Sequence, residues 1–215
     1  MKLLLISDEE DKFLWDYYRP GNLRGIDMIL SAGDLKADYL SFLVTMANRP
    51  LLYVRGNHDL SYDRRPPEGC QCIDDKLITV GGLRILGLGG SMLYNGGPHQ
   101  YTERQMERRI NRLFLKLRRC GGVDIVLTHA PARGYGDQEN LSHRGFEAFL
   151  SLMDKYRPRY LVHGHVHKRY GAMQPRVLHY KDTTIINACG KFVLDTDAPP
   201  VPSPLPGKEP GPPSD

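Results

Sequence analysis

The sequence predicts an α/β protein. Two observations carry that reading: short apolar runs alternate with segments whose apolar residues recur at helical spacing, and several of the runs end at a Gly-containing or polar turn. Leu3 to Ile6, Met28 to Ser31, Leu51 to Val54, Ile125 to Leu127 and Tyr160 to Val162 are apolar without strict alternation, as expected of strands covered on both faces. Between them, Tyr39, Phe42, Leu43 and Met46 share one face of a helix, as do Met106, Ile110, Leu113 and Leu117 of a helix expected from Glu103 to Arg119. Phe146, Phe149, Leu150 and Met153 mark a third helix. Gly81-Gly82 splits the stretch Ile78 to Ser91 into a hairpin, and Lys181-Asp182 separates Val177 to Tyr180 from Thr183 to Asn187 in the same way. The sheet edges are therefore expected to be partly antiparallel.

A chain of 215 residues suffices for one well-buried core, and a single domain is expected over residues 1–196. Half of the 16 prolines fall from Pro199 onward among residues with almost nothing to bury, which predicts a disordered or polyproline-like tail over residues 197–215. A net charge of +4 is modest for a dedicated nucleic-acid binder and compatible with an anionic substrate. The cysteines Cys70, Cys72, Cys120 and Cys189 lack zinc-ribbon spacing, and Cys70 and Cys72 stand too close for an ordinary disulfide framework, so reduced thiols are expected. The apolar stretch before Asp8 is too short for a signal-peptide core and no apolar run is long enough to span a membrane. A cytoplasmic protein without a membrane partner is the expectation.

Each of the five strand-like runs ends within a few residues in a metal-binding type of side chain. Asp8 follows the first, Asp34 the second, Asn57 and His58 the third, His129 the fourth, and His165 and His167 the fifth. In α/β sheets the carboxyl ends of strands line a common crevice, so these residues are expected to converge there. Carboxylates, an amide oxygen and imidazoles together suit divalent manganese, iron, zinc or magnesium. Singly, each has a plain structural explanation, since a loop Asp caps a helix and a buried His satisfies a carbonyl; their joint placement argues for a site. His163 reads as a core or supporting histidine. The loop from Ala130 to Gly145, with Arg133 and His143, starts beside His129 and is expected near the site, with a helix start at Ser142. Arg104, Arg108, Arg112 and Arg119 are expected to form a solvated face and not a nucleic-acid track.

Gly33-Asp34, Gly56-Asn57-His58-Asp59, Thr128-His129 and Gly164-His165-Val166-His167 occur in an order and spacing that resembles the calcineurin-like metallophosphoesterases, in particular small single-domain bacterial-type members. The resemblance runs from about Leu3 to Gly190. It implies a double β-sandwich of mixed sheets flanked by helices, a four-layer αββα fold with two divalent metal ions at one edge. It also implies that Asp34 bridges the ions, that Asp8 and His167 hold the first, and that Asn57, His129 and His165 hold the second. His58 would be the catalytic histidine beside the scissile phosphate, oriented by Asp59. Two such ions, about 3.5 to 4 Å apart, would share and acidify a water to attack a phosphomonoester or phosphodiester, with a small phosphorylated substrate expected here. A nuclease and a non-catalytic scaffold are the alternatives. One motif departs from the family: where Asp-x-His is usual, the chain has Ser7-Asp8-Glu9-Glu10. Glu10 is expected to act as a ligand in place of that histidine, favouring harder ions with manganese foremost; its other reading is a solvated acid at a helix start.

Overall fold

The computed structural model describes residues 1–167 and 175–198, so the predicted tail lies outside the described residues except for Asp197 and Ala198. In chain order the elements are β1 (Lys2–Ser7), β2 (Met28–Ser31), α1 (Ala37–Ala47), β3 (Leu51–Tyr53), β4 (Gln71–Cys72), β5 (Lys76–Val80) and β6 (Leu83–Leu88). They continue with β7 (Ser91–Met92), β8 (Gln100–Tyr101), α2 (Glu103–Arg112), α3 (Phe114–Arg119), β9 (Ile125–Thr128), α4 (Glu147–Tyr156) and β10 (Tyr160–His163). The last strands are β11 (Val177–Tyr180), β12 (Thr183–Asn187) and β13 (Gly190–Asp195). A five-stranded sheet runs β13-β1-β2-β3-β4, a six-stranded sheet runs β11-β12-β10-β9-β6-β5, and β7 pairs with β8.

Strand alternation decides which residue packs where. Leu3 and Leu5 of β1 enter one cluster with Ile125 and Leu127 of β9 and Val162 of β10, so the two sheets pack face to face. Leu4 and Ile6 point the other way, against Tyr39, Leu40 and Leu43 of α1. On the far side, Val126 and Leu161 pack beneath Met106 and Ile110 of α2 and Phe149 and Leu152 of α4. The layers are therefore helix, sheet, sheet, helix. Covering both faces of each central strand explains the uninterrupted apolar runs, and each fully buried aliphatic side chain contributes about 1.5 to 3 kcal/mol.

The five strands expected to feed one crevice are divided between the sheets. β1, β2 and β3 lie parallel in one, with Leu3 opposite Met28 and Ile29 opposite Leu51; β9 and β10 lie parallel in the other, with Tyr160 opposite Ile125. Both expected hairpins are present, β5 with β6 through Gly81-Gly82 and β11 with β12 through Lys181-Asp182. The single helix expected from Glu103 to Arg119 is two: the Leu113 amide bonds back to Ile110 in a tighter turn, and α3 starts afresh to bury Leu117. Met46, expected on the buried face of α1, is exposed, because the stripe through Tyr39, Leu40 and Leu43 continues to Ala47. Among the described residues no disulfide joins the four cysteines.

Leu127→Ala, which opens a gap between the sheets at a fully buried position, is expected to cost about 2 to 5 kcal/mol in urea unfolding, and Met46→Ala less than about 0.5 kcal/mol. Equal losses would contradict the layer assignment.

Candidate metal centre

The chain leaves β1 and β10 through unusually tight turns. Glu9 N–H donates to the Ser7 carbonyl at 2.6 Å and Val166 N–H to the Gly164 carbonyl at 2.8 Å, closing three-residue turns. The central residues, Asp8 and His165, have φ of 60° and 67°, and Asp34 at the end of β2 has 57°. Left-handed conformations at non-glycine residues cost on the order of 1 to 3 kcal/mol each and persist only where the surroundings enforce them. Here carboxylates staple the loops together. Asp8 accepts the His165 amide with both oxygens, at 3.0 and 2.9 Å, joining the two sheets. Asp59 Oδ2 accepts the amides of Gly56 at 2.7 Å and Asp34 at 2.9 Å, and Asp34 Oδ1 accepts the His58 amide at 2.9 Å. The motif glycines make room for this: a Cβ at Gly56 would lie 1.9 Å from Asp34 Oδ1, and one at Gly164 2.5 Å from Asp8 Oδ2.

Within these staples, lone pairs converge. His129 Nδ1 lies 2.7 Å from the Ala32 carbonyl, which makes Nδ1 the protonated nitrogen and leaves Nε2 bare. That Nε2 faces Asn57 Oδ1 at 3.1 Å, His165 Nδ1 at 3.1 Å and Asp34 Oδ2 at 3.3 Å. His165 Nδ1 is bare in turn, because its Nε2 is 2.5 Å from the Ser142 carbonyl. Asn57 donates through Nδ2 to the Tyr94 hydroxyl at 3.3 Å, which turns its oxygen inward. With His129 neutral, these four side chains thus present acceptors to one another with no donor among them. In the absence of a cation, a proton on His129 relieves the repulsion: burial opposes the charge, but Asp34 and Asp8 raise its pKa to about 9. Asp34 falls to about 2, the charge and hydrogen bond of His129 outweighing burial. His165 falls to about 3 through burial and the neighbouring His129 charge. Burial pushes Asp8 upward, and burial with the charge of Asp34 lifts Asp59 to about 6. His163 is a core histidine, its Nδ1 2.9 Å from the Gly164 carbonyl and its pKa lowered to about 4 by burial.

An open cleft of about 560 Å³ adjoins this cluster, lined by residues that include Asp8, Glu9, Glu10, Asp34, Lys36 and His58. The His58 side chain is exposed, on a backbone at φ −102° and ψ 0°. The Asp59 carboxylate is occupied by the two backbone amides of Gly56 and Asp34. Glu10 pairs with Lys36 at 3.2 Å, whereas Glu9 lies 3.2 Å from His167 Nδ1; the structure brings Glu9, and not Glu10, to that histidine. Glu9 and His167 are about half exposed, and such a pair by itself contributes less than about 1 kcal/mol. Of the loop expected near the site, the His143 ring lies 5.2 Å from that of His165, while Arg133 is tied to Asp137 and Glu139 of its own loop. Its short helical turn, Leu141–His143, is capped by Asn140 and not started by Ser142. Tyr94 and the Ser142 carbonyl were not singled out by the sequence; Ser142 lies in the loop that leaves His129, and Tyr94 carries no motif.

The profile of the family described as calcineurin-like phosphoesterase matches residues 7–169, a span that contains every residue of the cluster and the cleft. The chain belongs to the calcineurin-like phosphoesterase family. Among relatives of this phosphoesterase, the UPF0046 protein K07C11.7 of Caenorhabditis elegans is 28% identical over 89% of the chain and 71% of its own length. The human metallophosphoesterase domain-containing protein 1 is 25% identical over 74% of the chain and 60% of its own length, so the chain spans well under the full human protein. In fold, the phosphoesterase is similar to TT1561 of Thermus thermophilus, with a TM-score of 0.58 at 17% identity, covering 88% of this chain and 89% of that one. Among its described residues no helix is long and apolar enough to cross a membrane.

The raised pKa of His129 predicts a sign. A histidine with folded pKa above its ordinary 6.5 contributes stability that is fully present below pH 6.5 and is lost as pH rises through about 9. Metal-stripped protein is expected to lose on the order of 3 kcal/mol across that window in denaturant titrations. In His129→Asn that decline disappears; its persistence would assign it to another group.

Proposed function

We propose that this calcineurin-like phosphoesterase is an active hydrolase that cleaves phosphate esters of a small phosphorylated substrate with two divalent metal ions. One observation carries the reading: His129, His165, Asn57 and Asp34 present acceptor atoms to one another within 3.3 Å of His129 Nε2, an arrangement that calls for a cation. Two imidazole nitrogens, an amide oxygen and a carboxylate suit a borderline ion such as manganese, iron or zinc. Asp34, with its other oxygen turned toward the cleft loop at His58, is available to serve a second ion alongside Asp8 and His167. Bound divalent ions supply Lewis acidity, polarising a phosphoryl oxygen and acidifying water.

The chain's own residues supply the rest. The Ala32 and Ser142 carbonyls fix the tautomers of His129 and His165 so that the bare nitrogens face inward before any ion arrives. His58, anchored by its amide to Asp34 and open to the cleft, is positioned to stabilise charge on a phosphoryl oxygen or to protonate the departing alkoxide. Asp59 holds the loops bearing Asp34 and Asn57 at a constant separation. Four cysteines without a disulfide among them suit a reducing compartment and support a cytoplasmic location.

Protein stripped of metal and reloaded with manganese is expected to hydrolyse bis-p-nitrophenyl phosphate, with His58→Ala lowering kcat about 10² to 10⁴-fold at unchanged metal content. Absence of hydrolysis with manganese, iron, zinc and magnesium alike would favour a non-catalytic scaffold.

A further inference from the structure

The position left without its usual histidine has other candidate donors nearby. Glu9, His167 and Cys189 each offer one ligand atom, and the three atoms lie within 4.8 Å of one another. Tetrahedral ions with such ligands hold them about 3.3 to 3.8 Å apart, and Glu9 and His167 already stand at 3.2 Å. Both are exposed side chains able to rotate, so only the sulfur distance has to close.

Cys189 is brought there by topology. It lies in the crossing from β12 of the six-stranded sheet to β13 of the five-stranded sheet, bridged to Ser7, the residue before Asp8. Asn187, at the end of β12, ties the two halves of the cluster together. Its Nδ2 donates to the Val166 carbonyl at 2.9 Å, next to His167, and its Oδ1 accepts the Cys189 amide at 2.8 Å. Cys189 is buried, so its sulfur is offered from the protein side while Glu9 and His167 close from the solvent side. The Arg176 guanidinium donates to the Cys189 carbonyl and helps hold this crossing in place.

We infer that Glu9, His167 and Cys189 are ligands of the first metal ion, and that this position therefore carries a thiolate and prefers zinc, iron or cobalt to magnesium. The inference deepens the proposed function, on which it rests, by naming ligands that the aligned position of Glu10 does not supply. On binding, the metal–sulfur bond forms as the thiol proton leaves to solvent, so a thiol and a divalent ion give a thiolate complex and one proton. A sulfur donor shifts selectivity toward softer ions, and Glu10, paired with Lys36, is left to shape the cleft.

Cobalt(II) titration of the reduced, metal-free full-length chain reads the ligands directly. Two cobalt ions per chain are expected, with a near-ultraviolet thiolate-to-cobalt charge-transfer band. That band is lost in Cys189→Ser, while the ion held by Asp34, Asn57, His129 and His165 still binds. Glu9→Gln, a change at an exposed position, is expected to weaken cobalt binding at the band-bearing site at least about tenfold, and Glu10→Gln to leave it unchanged. Two bound cobalt ions with no such band, a band that survives Cys189→Ser, or dependence on Glu10 in place of Glu9 would overturn this ligand assignment while leaving the phosphoesterase reading intact. Failure to bind any cobalt would overturn both.

Discussion

An imidazole nitrogen, a second imidazole nitrogen, an amide oxygen and a carboxylate oxygen repel one another when their lone pairs meet at hydrogen-bond distance with no proton between them. The surroundings of His129 Nε2 impose that meeting, and much of the local structure is arranged to enforce it. Backbone carbonyls fix which nitrogen of each ring is bare, and Tyr94 fixes which end of the Asn57 amide turns inward. Moving a charge such as Asp34 out of water costs several kcal/mol unless a counter-charge is supplied. A proton on His129 is the minimal counter-charge; a divalent ion satisfies all four acceptors together.

The two-sheet sandwich makes the arrangement sustainable. Asp34 and Asn57 come from loops of the five-stranded sheet, His129 and His165 from loops of the six-stranded sheet, and the apolar layer between the sheets sets their separation. The left-handed residues Asp8, Asp34 and His165 each carry backbone strain, offset by amide-to-carboxylate bonds worth about 1.5 to 3 kcal/mol apiece. Strain and staples occur in the same few loops because the staples are what keep the turns tight. Chemistry on short loops at the ends of packed strands is held more rigidly than chemistry on long surface loops.

Much of this was legible in the sequence. Strands such as Leu3 to Ile6 and Ile125 to Leu127 announce themselves because both of their faces are covered, and the Asp, Asn and His residues after them fall where a crevice forms. The division of those strands between two sheets was not legible from periodicity, since pairing is set by contacts far apart in sequence; it came only with the family resemblance. β13 was missed because its residues are mostly half-buried and Val193 is exposed, leaving no clean apolar signal. β4, β7 and β8 are two residues long and too short to show a period. By register Glu10 is the expected donor; in the structure Glu10 pairs with Lys36, and Glu9 is the one that meets His167. Cys189 is close to the site through a sheet-to-sheet crossing that no local pattern encodes.

The proposed metal position lies among the nitrogens and oxygens around His129. Anomalous X-ray scattering from crystals grown with manganese tests it most directly. A peak is expected within bonding distance of His129 Nε2, His165 Nδ1, Asn57 Oδ1 and an Asp34 oxygen, with His129 Nδ1 still on the Ala32 carbonyl. A manganese-loaded crystal with no peak among those four atoms, or with the His129 ring reversed, would contradict it.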